Sequence, residues 1–164
     1  MYYIKCFFIY SFIGFIFETI LALVMGHSPN SGILYGPFTP VYGIGVIFII
    51  IISKYITALN LKRWQEATLL FFTLAFVLTI LELVGGLLIE KLFDIVFWDY
   101  SNLPFSFGHY VSLVISVAWG FTSLMIVYII KPQTDKIMKY IPNYIIYPLI
   151  VIFLTDLILT VIIL

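Results

Sequence analysis

The segment ELVGGLLIEKLFDIVFWDYSNLPFSFGHY, from Glu82 to Tyr110, decides how this chain folds. It begins with a carboxylate inside an apolar run and passes two glycines and a second glutamate, Glu90, before an aromatic stretch that contains Trp98 and Asp99. Another apolar run follows it. This alternation predicts a membrane-spanning helix, an irregular outer segment and a second spanning helix.

The composition supports a membrane environment. Of the 164 residues, 63% are hydrophobic and 10% are charged, whereas a soluble domain has roughly 45–50% apolar and about 25% charged residues. The formal net charge of zero excludes nucleic-acid binding by bulk electrostatics. Cys6 is the single cysteine, so no disulfide within the chain is expected.

The apolar runs predict an all-α, polytopic membrane protein, a bundle of five helices with irregular or interfacial outer segments. One transmembrane domain, 1–164, is expected, with helices at about 6–25, 40–56, 67–89, 110–130 and 144–164. The first run resembles a signal peptide, but Glu18 interrupts it and no cleavage site follows, so we interpret it as a retained helix. Glycines and prolines interrupt Gly26–Gly43, where His27 is interpreted as a loop residue. Residues 91–108 fit either a surface helix or a re-entrant segment.

Several polar residues share helix faces. Glu82, Gly86 and Glu90 are spaced by four and are expected on one face of the third helix, and Asp156 lies one turn before Thr160 in the fifth helix. Spacings of three and four also define two stripes, one in the first helix (Ser11, Gly14, Glu18 and Ala22) and one in the fourth (His109, Ser112, Ser116, Gly120 and Ser123).

The basic residues predict the orientation. When five spans cross the membrane in alternate directions, seven of the eight lysines and arginines fall on one side of the membrane. Lys91 falls on the other side. The positive-inside rule then places the N-terminus in the cytoplasm and the C-terminus outside, in a multi-pass protein of the cell membrane. In this orientation Glu18, Glu82 and Asp156 all lie in the outer half of the membrane.

We therefore expect an outward-facing site of carboxylates and aromatic residues. Carboxylates at membrane depth must be protonated, accept hydrogen bonds or bind a cation. No metal or cofactor is expected, because the chain lacks an H-E-x-x-H motif and a lone histidine makes a poor zinc site. The candidate residues for binding a substrate or ion are Glu18, Glu82, Glu90, Trp98, Asp99, Tyr100, His109, Tyr35 and Tyr42.

Four segments carry a family resemblance: SGILYGPFTPVYGIG, ELVGGLLIEKLF, WDYSNLPFSFGHY and the pair Trp119–Gly120. Together they resemble the CmpB-like proteins, small prokaryotic membrane proteins described as putative ABC-transporter type IV. The resemblance covers about Glu18 to Gly120. It implies a permease-like subunit that works with a separate ATPase, and the chain itself lacks a G-x-x-x-x-G-K-[ST] phosphate loop.

Three functions stay open at this stage. The first is a permease-like membrane protein that uses Glu18 and Glu82 in an outer pocket, with a separate ATPase subunit or further copies of the chain as partners. The second is a membrane-embedded enzyme in which a carboxylate and His109 act as acid and base on an outer-leaflet lipid or wall precursor. The third is a membrane scaffold or assembly protein whose carboxylates hydrogen-bond between helices. An enzyme is the less favoured reading, because no nucleophile motif is present.

Overall fold

A computed structural model of the protein describes residues 1–24, 26 and 34–163. It is 77% helical, and five of the helices among the described residues are long and apolar enough to cross a membrane. The all-α, polytopic fold class is therefore confirmed. These five spans are Tyr2–Val24, Pro40–Thr57, Arg63–Phe93, Leu113–Met138 and Asn143–Ile163.

The chain divides into two compact units. Unit 1 comprises Met1–Phe48 and Gln133–Leu164, and unit 2 comprises Ile49–Pro132. Unit 1 is thus assembled from two separate stretches of sequence, whereas unit 2 is continuous. That the whole chain forms a single domain stays a prediction.

The first half of helix α1 (Tyr2–Val24) contacts helix α5 (Lys131–Met138) and the residues that follow it. The ammonium group of Lys5 donates to the carbonyl oxygen of Ile141 at 2.6 Å. One turn and a half further on, the hydroxyl groups of Tyr10 and Thr134 are hydrogen-bonded at 2.7 Å. A buried cluster centred on Phe8 then packs against the helix α6 (Ile146–Ile163).

Helix α2 (Pro40–Thr57) begins at the proline expected in its first turn, where no backbone N–H is needed. The residues just before it, 34–39, are not helical, in agreement with the expected break. The remainder of the Gly26–Gly43 segment, residues 27–33 including His27, lies outside the described residues.

Helix α3 (Arg63–Phe93) extends beyond the expected bounds of 67–89 at both ends. At its start, the side chain of Gln65 accepts from the backbone N–H of Lys62 at 3.2 Å, which lengthens the helix by a turn. At its end, Asp94 adopts a left-handed conformation with φ of 56° and its N–H bonds to Glu90, an αL cap that polar residues tolerate better than most. The buried face of α3 is a row at every fourth position: Leu70, Leu74, Leu78, Glu82 and Gly86.

The segment after α3 forms a short antiparallel hairpin rather than a helix. Strand β1 (Ser106–Phe107) pairs with β2 (Val111–Ser112), and Phe107 faces Val111 in the register. Helix α4 (Leu113–Met125) therefore starts three residues later than expected, with Ser112 as its N-cap. The prediction that His109 and Ser112 belong to a stripe within the fourth helix is wrong, because both residues are used by the hairpin and the cap.

The fourth span also runs past its expected end at residue 130. A π-helical turn, Ile126–Ile130, joins α4 to α5, so the backbone stays helical through Met138. Lys131 and Lys136, which follow the expected end of the fourth helix, therefore lie on a helix as well. Pro132 follows the π-helical turn closely, at the point where the hydrogen-bond pattern of the helix changes.

Candidate functional site

Glu82 is the centre of a hydrogen-bonded group in unit 2. Its side chain is only 8% exposed, on the face of α3 that packs against α4. The hydroxyl group of Tyr100 donates to one carboxyl oxygen at 2.7 Å, and the indole N–H of Trp119 donates to the other at 2.9 Å. Both donors are neutral, so the two bonds stabilise an ionised carboxylate without cancelling its charge.

Two turns further along α3, Glu90 accepts a hydrogen bond from the hydroxyl group of Tyr110 at 2.9 Å. The ring of Tyr110 crosses α3 at Gly86, where an added Cβ would meet two of its ring carbons at 2.6 and 2.9 Å. Gly86 therefore has a steric role: its missing side chain allows the ring to lie across the helix and reach Glu90. Burial, followed by the hydrogen bond to Glu90, raises the pKa of the Tyr110 phenol.

Trp98 covers the same region of α3. Its ring stands edge to face with Tyr110, with 5.9 Å between the ring centroids, and lies in ordinary contact range of Gly85. Its indole N–H is buried and has no hydrogen-bond acceptor among the described residues. An unpaired buried donor costs free energy, so this N–H is a place where a bound acceptor would be stabilised.

Asp99 and His109 form an exposed pair beside these tyrosines. A carboxyl oxygen of Asp99 lies 3.1 Å from Nδ1 of His109, and the two side chains are 43% and 54% exposed. Hydrogen bonds from Ser101, first from its backbone N–H, and then from His109 lower the pKa of Asp99 to about 2. Asp99 is therefore ionised at any physiological pH.

In unit 1, Asp156 closes a turn of the chain. Its two carboxyl oxygens accept from the backbone N–H groups of Tyr35 and Gly36, at 3.0 and 2.9 Å. The phenol of Tyr35 is not part of this contact, and the residue is 70% exposed. Asp156 thus satisfies backbone donors of the segment before α2, which is a structural role for a carboxylate.

Glu18, also in unit 1, faces the first turn of α2. Its carboxyl group is near the hydroxyl groups of Tyr42 and Thr39, although the Thr39 hydroxyl does not complete a hydrogen bond and stays unpaired in the interior. The ring of Tyr42 packs on Gly14 of α1, where it would collide with any added Cβ. The close approach of α1 and α2 at this glycine brings Tyr42 beside Glu18.

The length of α3 indicates the depth of its carboxylates. Its 31 residues extend about 46 Å at 1.5 Å per residue, which exceeds the hydrocarbon thickness of about 30 Å. Glu66 and Glu82 are separated by about 24 Å along the axis, and Glu90 lies about 12 Å beyond Glu82. When Glu66 stands at one boundary, Glu82 lies about 6 Å inside the other boundary and Glu90 lies outside it.

The candidate residues fall into two groups. Unit 2 brings together Glu82 with Tyr100, and Asp99 with His109, while Glu90 and Trp98 meet through Tyr110. Unit 1 holds Glu18, Tyr42 and Tyr35. The convergence of Glu18, Glu82 and Asp156 in one outer pocket stays a prediction, since the three carboxylates belong to two units.

Two hydrogen-bond donors to the carboxylates, Trp119 and Tyr110, are not among the candidate residues expected from the sequence. Trp119 stands in an apolar helix, where an indole is usually explained by packing, and Tyr110 was assigned to the start of a helix. A signal for Trp119 was present: it lies three residues after Ser116, whose hydroxyl bonds to Thr79 of α3 at 2.7 Å, so it continues the side of α4 that faces α3. Among the described residues, no group of three or more His, Cys, Asp or Glu side chains could hold a metal ion.

Neither the curated proteins nor the solved structures include a match to this chain. A protein-family model does match it, over residues 5–162. The family is described as Putative ABC-transporter type IV, and the matched region extends beyond the four segments that carried the resemblance to both sides. With its apolar helices and this match over almost its full length, the chain is a transporter-like, multi-pass membrane protein that belongs to the Putative ABC-transporter type IV family.

Proposed function

We propose that the protein is the permease-like subunit of a transporter and that Glu82 is its proton- or cation-binding group. The observation that carries the proposal is the environment of this carboxylate. It is buried in a spanning helix, and both of its oxygens accept from neutral donors, Tyr100 and Trp119. Ionisable side chains inside membrane helices commonly mark ion or proton pathways.

The charge of Glu82 has no partner of opposite sign within the described part of the chain. The ion pair found there is between Asp99 and His109. A buried carboxylate with donors but no cation gains most from a bound proton or a bound cation, because either one removes the net charge from a medium of low dielectric constant. The two hydrogen bonds keep the carboxyl group oriented while that partner is exchanged.

The proposed orientation places the N-terminus in the cytoplasm and the hairpin that follows α3 outside. The distribution of basic residues is its main support. The contact between Lys5 and Ile141 adds to it, because it joins the start of α1 to the segment after α5 at one end of unit 1. Both belong to the basic side of the predicted topology.

A separate ATPase is the proposed partner, as the family description suggests. The chain has no phosphate-binding loop of its own. The surface proposed for this contact is α5 with the residues after it, where Ile137 is 58% exposed and Tyr140 is 87% exposed. A homo-oligomer is the alternative source of a larger conduit.

The proton-binding role is tested by the fluorescence of Trp119, which donates directly to Glu82. The protein with its other two tryptophans, Trp64 and Trp98, replaced by phenylalanine is purified into lipid nanodiscs. It is titrated with acid and then with sodium or ammonium salts while the emission of Trp119 is recorded. A transition is expected in this protein and should be lost when Glu82→Gln is added, whereas the matched addition of Glu90→Gln should keep it. A transition that persists in Glu82→Gln would assign it to another group and refute the proposal.

A scaffold role is the second candidate, favoured by one observation. Asp156 has both carboxyl oxygens bonded to backbone N–H groups, so at least one membrane carboxylate in this protein serves to hold the chain together. If Glu82 had only this role, Glu82→Gln would lower the stability of the protein and no proton- or cation-dependent signal would be found in the wild type.

A further inference from the structure

The segment that follows α3 is held to that helix by two tyrosines. We call residues 94–112 the outer hairpin. The backbone N–H of Tyr100, ahead of β1, donates at 2.7 Å to the carbonyl oxygen of His109, which lies in the turn between β1 and β2. Phe107 and Val111 are paired on either side of that turn.

Tyr100 lies ahead of β1, and Tyr110 lies in the turn directly before β2. Tyr100 donates to Glu82 at 2.7 Å, and Tyr110 donates to Glu90 at 2.9 Å. The outer hairpin therefore covers the α3 face that carries both carboxylates. Any movement of the hairpin away from α3 removes a hydrogen-bond donor from each of them.

The residue before each tyrosine completes a second link between the stretch ahead of β1 and the turn between the strands. Asp99 precedes Tyr100, His109 precedes Tyr110, and the two side chains lie 3.1 Å apart. This pair ties together the two chain positions next to the residues that bind the carboxylates. Unlike the tyrosine contacts, it is open to solvent, so it responds directly to the pH of the outer medium.

We propose that the Asp99–His109 pair is a pH-sensitive clasp that holds the outer hairpin closed over the carboxylates of α3. The clasp is strongest when the imidazole is protonated and the carboxylate is ionised. As the pH rises and the imidazole loses its proton, the ion pair is replaced by a weaker hydrogen bond from a neutral imidazole to the carboxylate. The hairpin then opens more often, and Tyr100 and Tyr110 leave the carboxylates.

The two titratable groups in contact with the imidazole, Asp99 and Tyr110, do not change charge in the same range. Asp99 is ionised throughout, because hydrogen bonds from Ser101 and His109 hold its pKa at about 2. The Tyr110 phenol packs against the imidazole, and burial together with Glu90 keeps it protonated. Histidine is the side chain type that ordinarily changes charge between about pH 5 and 8, so the imidazole is the group that sets the response.

The expected size of the effect is modest. Exposed ion pairs contribute little to stability. Loss of such a pair changes the equilibrium between the closed and open hairpin by roughly two- to fivefold. The clasp therefore shifts the population of open hairpins and does not lock them. Only its consequence for transport, access of protons or cations to Glu82, rests on the proposed function.

Hydrogen–deuterium exchange of the hairpin amides measures this opening without a substrate. The protein in nanodiscs is compared at about pH 5.5 and about pH 8, on either side of the ordinary histidine pKa, after correction for the intrinsic exchange rate. Peptides that cover residues 98–112 should open roughly two- to fivefold more often at the higher pH. Peptides from α1 and the middle of α3 should show no such change and confirm that the protein stays folded.

Four variants decide the outcome. His109→Gln and Asp99→Asn should remove the pH dependence, whereas His109→Lys, which keeps a positive charge, should hold the hairpin closed at both pH values. The matched control is His27→Gln, which changes the other of the two histidines and should leave the response intact. A response that survives His109→Gln, disappears in His27→Gln, or appears equally in the α1 peptides would overturn the clasp. Because the fluorescence test of Glu82 uses a different signal, either proposal fails without the other.

Discussion

Replacement of Gly86 by alanine should destabilise unit 2, and its neighbour Gly85 provides a control one residue away. At Gly86 a Cβ would meet ring carbons of Tyr110 at 2.6 and 2.9 Å, distances at which the ring has to move. At Gly85 a Cβ would meet a ring carbon of Trp98 at 3.9 Å, which is ordinary contact. Both positions lie in the same helix, so the intrinsic preference for alanine is the same at each.

The magnitude follows from the difference between the two variants. Alanine is favoured over glycine in a helix interior by about 0.8–1 kcal/mol, and this gain cancels when the variants are compared. Overpacking a filled site costs about 1–3 kcal/mol. Gly86→Ala should therefore be about 1–3 kcal/mol less stable than Gly85→Ala, and more if the displaced ring also loses Glu90.

Equilibrium unfolding in mixed micelles of a mild detergent and dodecyl sulfate, followed by circular dichroism, measures this difference. Gly85→Ala is expected to be as stable as the wild type or slightly more stable. Equal stabilities of the two alanine variants would show that the Tyr110 ring does not lie on Gly86, and the arrangement of ring, glycine and carboxylate described above would then be wrong.

Three further outcomes are expected. Tyr100→Phe should lower the free energy of unfolding by about 1.5–3 kcal/mol if Glu82 is ionised and by about 0.5–1.5 kcal/mol if it is protonated. The loss should nearly vanish in a Glu82→Leu background, which has no acceptor for the hydroxyl group, as a double-mutant cycle in the same unfolding assay would show. The pKa of Asp99 is about 2 in the folded state and about 3.9 in the unfolded state. The stability that Asp99 contributes to the hairpin is therefore complete above the unfolded-state pKa and is lost as the pH falls through the folded-state pKa. Amide exchange of the hairpin in acid should show this loss in the wild type and not in Asp99→Asn. Asp156→Ala should leave the backbone donor of Gly36 unpaired and lower the thermal stability of unit 1, whereas the shape-matched Asp156→Asn should retain part of that stability. Equal stability of the alanine variant and the wild type would contradict the role of Asp156 in binding the backbone before α2.

The helices were predictable because apolar length alone determines a membrane span. Five runs of the required length predicted the five spans, and the spacing of four placed Glu82 and Gly86 on the buried face of α3. The exact ends of the helices were harder to predict. The first turn of α3 depends on a side-chain contact from Gln65, and its last turn depends on a left-handed residue, Asp94, and neither contributes to apolar periodicity.

The candidate site was predictable in part. A carboxylate in an apolar run must find donors, which made Glu82 conspicuous and suggested a nearby tyrosine. The identity of the donors depends on which side of α4 faces α3 and on a hairpin of two-residue strands, too short to produce an alternating pattern. Trp119 and Tyr110 were overlooked for this reason: each looks like an ordinary apolar residue until the neighbouring helix is in place.

The division of unit 1 into two stretches of sequence constrains the order of biogenesis. Lys5 bonds to Ile141 across 136 positions, so the first helix is inserted long before its partners leave the ribosome. Unit 2 is continuous and has all of its residues available by the time Pro132 is made. A nascent chain stalled once Pro132 has left the ribosome should therefore contain a complete unit 2. Its unit 1 should still be incomplete, with the first helix inserted and Lys5 not yet bonded to Ile141.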